Sequence, residues 1–376
     1  MEQNFTDIDK PKITALVAEL KSNQHLLSLQ KVTAGFDGFI DTIASVIKTK
    51  EEGQQPVMFS RIKEFGNYIT EKNGSSFSLE FQQKNIKAGG NMPILSNALG
   101  NMGIKVNCIG AFGYPQVHKA FQQISSLCNI YSFTEPGVCT AYEFEDGKIM
   151  MASMESLNNT GWTKVKEIIG LEKILQLFQE SNLICMVNWS EIDASTDIWK
   201  GILAEIITPY STGKKQTAFF DLSDFSKRSQ ATVQEALDII KAFSSYCNVT
   251  LSLNRNEALL LYKILCNANT TDLTAAGKNI FERLQPATLL IHSSKEVIAF
   301  TKDALYKSAS FFTAKPVIST GAGDNFNAGF CAAHLLKLNT ELSLMLANAV
   351  SGCYIRTGTS PSINDVIDFL ENYLSE

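Results

Sequence analysis

The chain has no excess of positive charge, no long apolar run and no closely spaced cysteines, and each absence closes off a class of function. Thirty-three lysines and arginines stand against 38 aspartates and glutamates, a formal net charge of −5. That balance argues against a general grip on nucleic-acid phosphates, which needs clustered cations. No stretch approaches the roughly 18 residues of a membrane-spanning helix; the richest, Leu183 to Val187 and Ala258 to Cys266, are far shorter. The eight cysteines (108, 128, 139, 185, 247, 266, 331 and 353) lie at least 11 positions apart. They offer no C-x-x-C pair for zinc or for a redox disulfide, and the four histidines form no H-E-x-x-H. Most of the thiols are expected to be reduced and buried. The opening residues, Met1 to Asp7, lack the basic start and apolar stretch of a signal peptide, so a cytoplasmic location is the expectation. Repeats, low-complexity tracts and Pro/Gly linkers are also missing.

What remains is a globular profile: 376 residues, 45% hydrophobic and 19% charged, enough for one large α/β domain or two ordinary ones. Helical spacing of Ile13, Leu16, Val17, Leu20, Leu26, Leu27 and Leu29 predicts an N-terminal amphipathic helix within an extension over residues 1–30. A short strand over Lys31 to Phe36 and an apolar stretch from Phe39 to Ile47 follow. Asn73-Gly74-Ser75-Ser76 marks a turn after an amphipathic piece, and Gly89-Gly90-Asn91 opens a helix closed by Gly103. The segment Thr140 to Met151 reads as a hairpin about Asp146-Gly147. Helix and strand pairs then recur: 165–178 with 183–187, 198–207 with 216–221, 233–243 with 249–253, and 273–284 with 288–292. This alternation predicts a parallel sheet covered on both faces.

The residues that carry chemistry cluster at Ser319-Thr320-Gly321-Ala322-Gly323-Asp324-Asn325-Phe326-Asn327-Ala328-Gly329-Phe330. Glycines around an alanine allow a sharp turn into a helix, whose first amides lack intrahelical partners and point outward. Such a terminus attracts phosphate oxygens. Asp324 in its first turn could take a proton from an attacking hydroxyl, or simply favour the helix dipole. A dinucleotide site would need G-x-G-x-x-G after an early strand, and Gly35-Phe36-Asp37-Gly38 does not supply it.

The run G-A-G-D-x-F-x-A-G-F at 321–330 resembles the C-terminal signature of the ribokinase or PfkB carbohydrate-kinase family. Gly89-Gly90 leading to Leu99-Gly100 is similar to its second signature, and the resemblance extends from about Lys31 to Leu370. It implies a three-layer α/β/α core with a central mostly parallel sheet and a small β lid, contributed by about 39–59 and 138–153. The implied activity is ATP-dependent transfer of a phosphoryl group to a sugar or sugar-acid hydroxyl. Magnesium is implied as cofactor, ATP as donor, and a homodimer through the lid as a possible assembly.

Carried over residue by residue, the resemblance makes Asp324 the catalytic base and Gly321, Ala322 and Gly323 the anion hole. Asp41, Gly89, Gly90 and Asn91 face the acceptor, and Asn254, Glu257, Ser293 and Asn348 face the nucleotide. Asn254-Arg255-Asn256-Glu257 matches N-x-x-E, so Glu257 would meet Mg²⁺ through water; the same four residues also spell a helix capping box. Asp37 competes with Asp41 for the sugar, with a turn role for Asp37-Gly38 as the simpler reading. The sequence departs from the family at Ile318, where an Asp-Thr pair usually precedes the loop. It departs again at Ile94, where an Asn is usual and Asn91 and Asn97 are candidate substitutes. Ser293-Ser294 replaces a glycine pair, and Asp221-Leu222-Ser223-Asp224 matches an Asp-Pro-Asn stretch only in part. A nucleoside kinase remains an alternative, with Phe36, Phe39, Tyr142 and Phe144 available to stack on a base, as does a catalytically weak sugar-binding or regulatory protein.

Overall fold

Side chains alternate along the short apolar strands between two packed layers. Leu183 and Cys185 enter one hydrophobic cluster while Ile184 and Met186 enter the other, and Phe219 is separated in the same way from Ala218 and Phe220. Only a sheet buried on both faces requires this pattern. The computed structural model describes residues 8–210 and 215–375, so positions 1–7 of the N-terminal extension lie outside the described residues.

The strands in chain order are β1 (Lys31–Gly35), β2 (Phe39–Thr49), β3 (Val57–Met58), β4 (Phe81–Gly89), β5 (Lys105–Gly110), β6 (Cys128–Ser132) and β7 (Gly137–Phe144). They continue as β8 (Gly147–Ser153), β9 (Leu183–Met186), β10 (Gln216–Asp221), β11 (Cys247–Asn254), β12 (Thr288–His292), β13 (Glu296–Thr301) and β14 (Leu305–Ala309). The main sheet has the order β14-β13-β12-β11-β10-β9-β1-β5-β6. It is parallel from β12 to β6, with β13 and β14 added antiparallel at one edge. Helices Lys10–Asn23, Asn91–Asn101, Ala322–Leu335, Thr340–Thr357 and Ile363–Ser375 cover one face. Helices from Trp162–Ile169 to Leu273–Leu284 cover the other, completing three α/β/α layers.

The N-terminal helix starts where Asp9 accepts the Lys12 amide at 3.1 Å, and it buries Ile13, Leu16, Val17 and Leu20 at the expected spacing. It is shorter than the apolar pattern predicts, because residues 24–29 tighten into a 3₁₀ turn. The single helix predicted over 165–178 is two helices, broken at Gly170, whose φ of 89° no helix interior allows. The helix over 198–207 begins at Ser195 and widens into a π turn from Ile202.

A second sheet stands over one end of the first. Its central strand β2 pairs antiparallel with β4 and parallel with β7, and β8 closes the hairpin back on β7. Strands β2, β3, β7 and β8 fall in the two segments assigned to a lid; β4 does not. Its first five residues, Phe81 to Asn85, are exposed and mostly polar, so no apolar alternation announces it. Helix Ile62–Glu71 packs on this sheet through Phe65 and Tyr68, whose rings meet Phe59 edge-on at 5.2 and 5.3 Å. Among the described residues no helix is long and apolar enough to cross a membrane.

Candidate active site

Because β1, β9, β10, β11 and β12 are parallel, their carboxyl ends bring Gly35, Met186, Asp221, Asn254 and His292 to one edge of the sheet. Open parallel sheets carry their ligand crevices there. Helix Ala322–Leu335 begins at the same edge. Its N-cap, Gly321, has φ 86°, and a Cβ there would lie 2.8 Å from the Tyr354 hydroxyl, so only glycine fits. Tyr354 in turn donates to Thr320 O at 2.8 Å, fixing the loop from behind. Of the amides assigned to the anion hole, Ala322 N donates to Ser319 O at 3.2 Å. Gly323 and Asp324 sit in the first turn, where no preceding carbonyl of the helix can reach their amides.

Asp324 is buried at this helix start, and its carboxyl is held well above the usual range. Loss of solvent is the main cause; the charges of Asp221, Asp37 and Glu257 add to it. Four carboxyl groups therefore share one poorly solvated region. Asp221 is raised by burial, against hydrogen bonds from Ser223 N at 2.8 Å and Asn327 Nδ2 at 2.6 Å. Glu257 is pushed up to about 8, first by burial and then by the Asp221 charge.

The paired glycines Gly89 and Gly90 each face one acid. A Cβ on Gly89 would lie 2.4 Å from Asp41 Oδ2, and a Cβ on Gly90, whose φ is 94°, 2.4 Å from Asp37 Oδ2. Asp41 sits on β2 directly opposite Lys87 of β4. Burial raises its carboxyl, and Lys87 and Lys148 oppose that. Asn91 donates to Ser223 Oγ at 2.8 Å, joining helix Asn91–Asn101 to the end of β10. Asn97 points elsewhere, accepting Ser125 N at 2.9 Å, and is no substitute for the family asparagine. Ile94 forms an apolar wall, its Cγ2 3.4 Å from where a Gly321 Cβ would stand.

The capping box over Asn254–Glu257 is real: Asn254 Oδ1 accepts Glu257 N at 3.0 Å, and Glu257 Oε2 accepts Asn254 N at 2.8 Å. Glu257 also lies near enough to Asp324 to raise its proton affinity. Ser293 closes the turn after β12, its hydroxyl accepting from the Lys295 and Glu296 amides. Asn348 holds Thr340–Thr357 to β14 by donating to Ala309 O at 3.0 Å. Ser310 Oγ links the two, within 3.2 Å of both Ser293 O and Asn348 Oδ1. Among the described residues no three His, Cys, Asp or Glu side chains are grouped to hold a metal ion. Asp221 and Glu257 have no salt-bridge partner among the described residues, and such carboxyl groups suit a magnesium ion that keeps much of its own water.

Sequence reasoning ranked Asp37 as a turn residue; the structure instead makes it a fully buried acid bonded to Met92 N at 2.9 Å and to Asn188 Nδ2 at 2.7 Å. The recurrence of acid at Asp37 and Asp41 within an otherwise apolar stretch was the available signal. Asn188 and Asn327 carried none, since an isolated asparagine after a strand or inside a helix has no motif. The four aromatics proposed for base stacking are engaged elsewhere. Phe36 and Phe39 are buried, Tyr142 meets Phe81 and Phe144 meets Phe65.

The sequence profile of a family described as "Prokaryotic ketohexokinase" matches residues 13–373. The chain is 27% identical to the ketohexokinase of Haloferax volcanii over 346 residues, 92% of each protein. Among solved structures it is similar to ribokinase from Thermotoga maritima, with TM-score 0.61 and 17% identity over 91% of this chain and 99% of that one. It is likewise similar to Arabidopsis thaliana ribokinase complexed with ribose and ATP, with TM-score 0.63 and 15% identity over 91% and 98%.

Proposed function

We propose, for a chain that belongs to the prokaryotic ketohexokinase family and is thus a PfkB-type carbohydrate kinase, that it transfers the γ-phosphoryl group of ATP to a hydroxyl of a ketohexose. The observation that carries this reading is the placement of Asp324, a buried carboxyl of raised proton affinity at the amino end of a helix. Phosphoryl transfer asks a protein for positioning and charge stabilisation rather than covalent chemistry. Asp41 and the Gly89-Gly90 turn hold the acceptor. Asp324 orients its hydroxyl and receives the proton as the oxygen attacks. The amides of Gly323 and Asp324, with the positive end of their helix, stabilise the charge that builds on the transferred group.

Magnesium, when bound, neutralises charge on the donor phosphates, and Glu257 with Asp221 beside it is the pair suited to hold it through water. Asn254, Ser293 and Asn348 line the nucleotide side. The hairpin β7–β8 with β2 closes over the acceptor and excludes water that would otherwise take the phosphate. Phe81, Val138 and Met151 are exposed apolar residues on the lid strands, which favours a second copy of the chain as partner.

The test is turnover with MgATP against ketohexoses, aldohexoses, pentoses, sugar acids and nucleosides, following ADP release and phosphorus NMR of the product. Ketohexoses are expected to lead by kcat/KM. Preference for an aldose, acid or nucleoside would refute the ketohexose assignment. Ligand binding without any turnover would favour a binding or regulatory protein.

A further inference from the structure

A cavity of about 740 Å³ opens at the edge of the main sheet opposite the candidate active site. Its floor is the amino ends of four adjacent strands, with Gln30 before β1, Asn182 before β9, Gln216 opening β10 and Cys247 opening β11. The volume lies in the range of small-molecule sites, and phosphoryl transfer as described makes no use of it.

Charge of one sign lines this cavity. Lys215 and Lys337 both contribute to it, and among the described residues no aspartate or glutamate does, in a chain whose net charge is −5. Glu180, between the lining residues Gln179 and Ser181, is paired with Lys31 at 2.9 Å. Helix ends gather at this edge, and their last carbonyls are partly negative, which disfavours an anion. Here the chain's own donors already take them. Gln216 Nε2 donates to Phe178 O and Ser181 O at 2.8 and 2.7 Å, Lys215 Nζ to Ser244 O at 2.7 Å, and Lys337 N to His334 O at 2.9 Å. An ammonium carries three protons, so Lys215 keeps two for a ligand. The Lys337 ammonium has no acid against it among the described residues. The remaining wall is apolar or aromatic, including Phe178, Ile207 and Tyr246. Inorganic phosphate alone would leave that wall wet, whereas a phosphate carried on a ring covers it.

We propose that this cavity binds a phosphate ester with a planar, largely apolar body, its phosphate held by Lys215 and Lys337, at a site separate from the phosphoryl-transfer centre. His334 and Thr217 also line it, with Nε2 and Oγ1 2.9 Å apart. One lies at the far end of the helix that carries Asp324, the other on the strand that ends in Asp221, so an occupant touches both elements away from the reacting centre.

The probe is phenyl phosphate, titrated by calorimetry into the whole protein with and without saturating MgADP, beside inorganic phosphate and phenol. Phenyl phosphate is expected to bind with Kd below about 1 mM, at least about tenfold tighter than either fragment, and to keep that affinity when MgADP is present. Lys337→Gln and Lys215→Gln alter exposed side chains and should each weaken it about tenfold while MgADP affinity stays unchanged. Should Lys337→Gln not fold, Lys215→Glu decides, because the reversed charge should abolish binding. Absence of binding, displacement by MgADP, or undiminished affinity in the folded variants overturns the proposal. Inorganic phosphate or phenol binding as tightly as the ester overturns the ligand class. Failure of the kinase reading is seen separately, in the MgADP titration without probe.

Discussion

Asn327 donates to the Asp221 carboxyl at 2.6 Å while its own carbonyl oxygen accepts the Ser252 hydroxyl at 2.8 Å. Lying one turn after Asp324, it bolts helix Ala322–Leu335 to the ends of β10 and β11. All three side chains are buried, so removing the amide strands two polar groups at once. Asn327→Ala should lower unfolding free energy by about 2–4 kcal/mol and depress kcat, read from denaturant melts and steady-state rates. A loss under about 0.5 kcal/mol would mean that water replaces the amide without cost.

Asp324→Asn keeps the shape of the helix start and removes the carboxyl proposed as the base. The expected outcome is a fall in kcat of about 10²–10⁴-fold with MgATP affinity kept or improved, because one of four crowded carboxyl groups is gone. An undiminished rate would exclude Asp324 as the base.

The paired glycines differ in what they tolerate. Gly90→Ala meets both a positive φ of 94° and the Asp37 carboxyl, whereas Gly89→Ala meets only Asp41. Gly90→Ala should therefore cost about 1–3 kcal/mol of stability as well as acceptor binding. Gly89→Ala should act mainly on acceptor KM, as Asp41→Asn should. Thermal melts beside acceptor titrations separate the two effects; equal melting temperatures for the two alanine variants would contradict the strain assigned to Gly90.

The parallel core was legible because its strands are short, apolar-rich runs and its helices periodic, and the loop at Gly321–Asp324 because its chemistry demands particular residues in a row. Strand β4 was not, since a largely exposed strand carries no apolar alternation. Gly170 split a helix whose apolar spacing runs on through the break, because the register of Val165, Ile174 and Phe178 survives a kink. The role of Asp37 was hidden for another reason: its partners Met92 and Asn188 are distant in sequence, and only the fold supplies them.

His292 ends β12 with its ring stacked on Phe326, centroids 4.8 Å apart and planes at 28°. Burial lowers its pKa to about 4 from an ordinary 6.5. Between those values the unfolded chain binds the extra proton and the folded chain does not, so stability rises with pH there. The contribution is complete above 6.5 and is lost as pH falls towards 4, a change of roughly 2–3 kcal/mol. Asp37, raised to about 7, and Glu257, raised to about 8, act in the opposite sense over the same window. They take up protons more readily when folded, so the wild-type curve alone mixes the two effects. His292→Phe keeps an aromatic ring against Phe326 and removes only the titration. The stability of wild type relative to this variant should fall by that amount between pH 7 and pH 4, measured by urea unfolding at each pH. A constant difference would show that the imidazole is hydrated enough to charge in the folded protein.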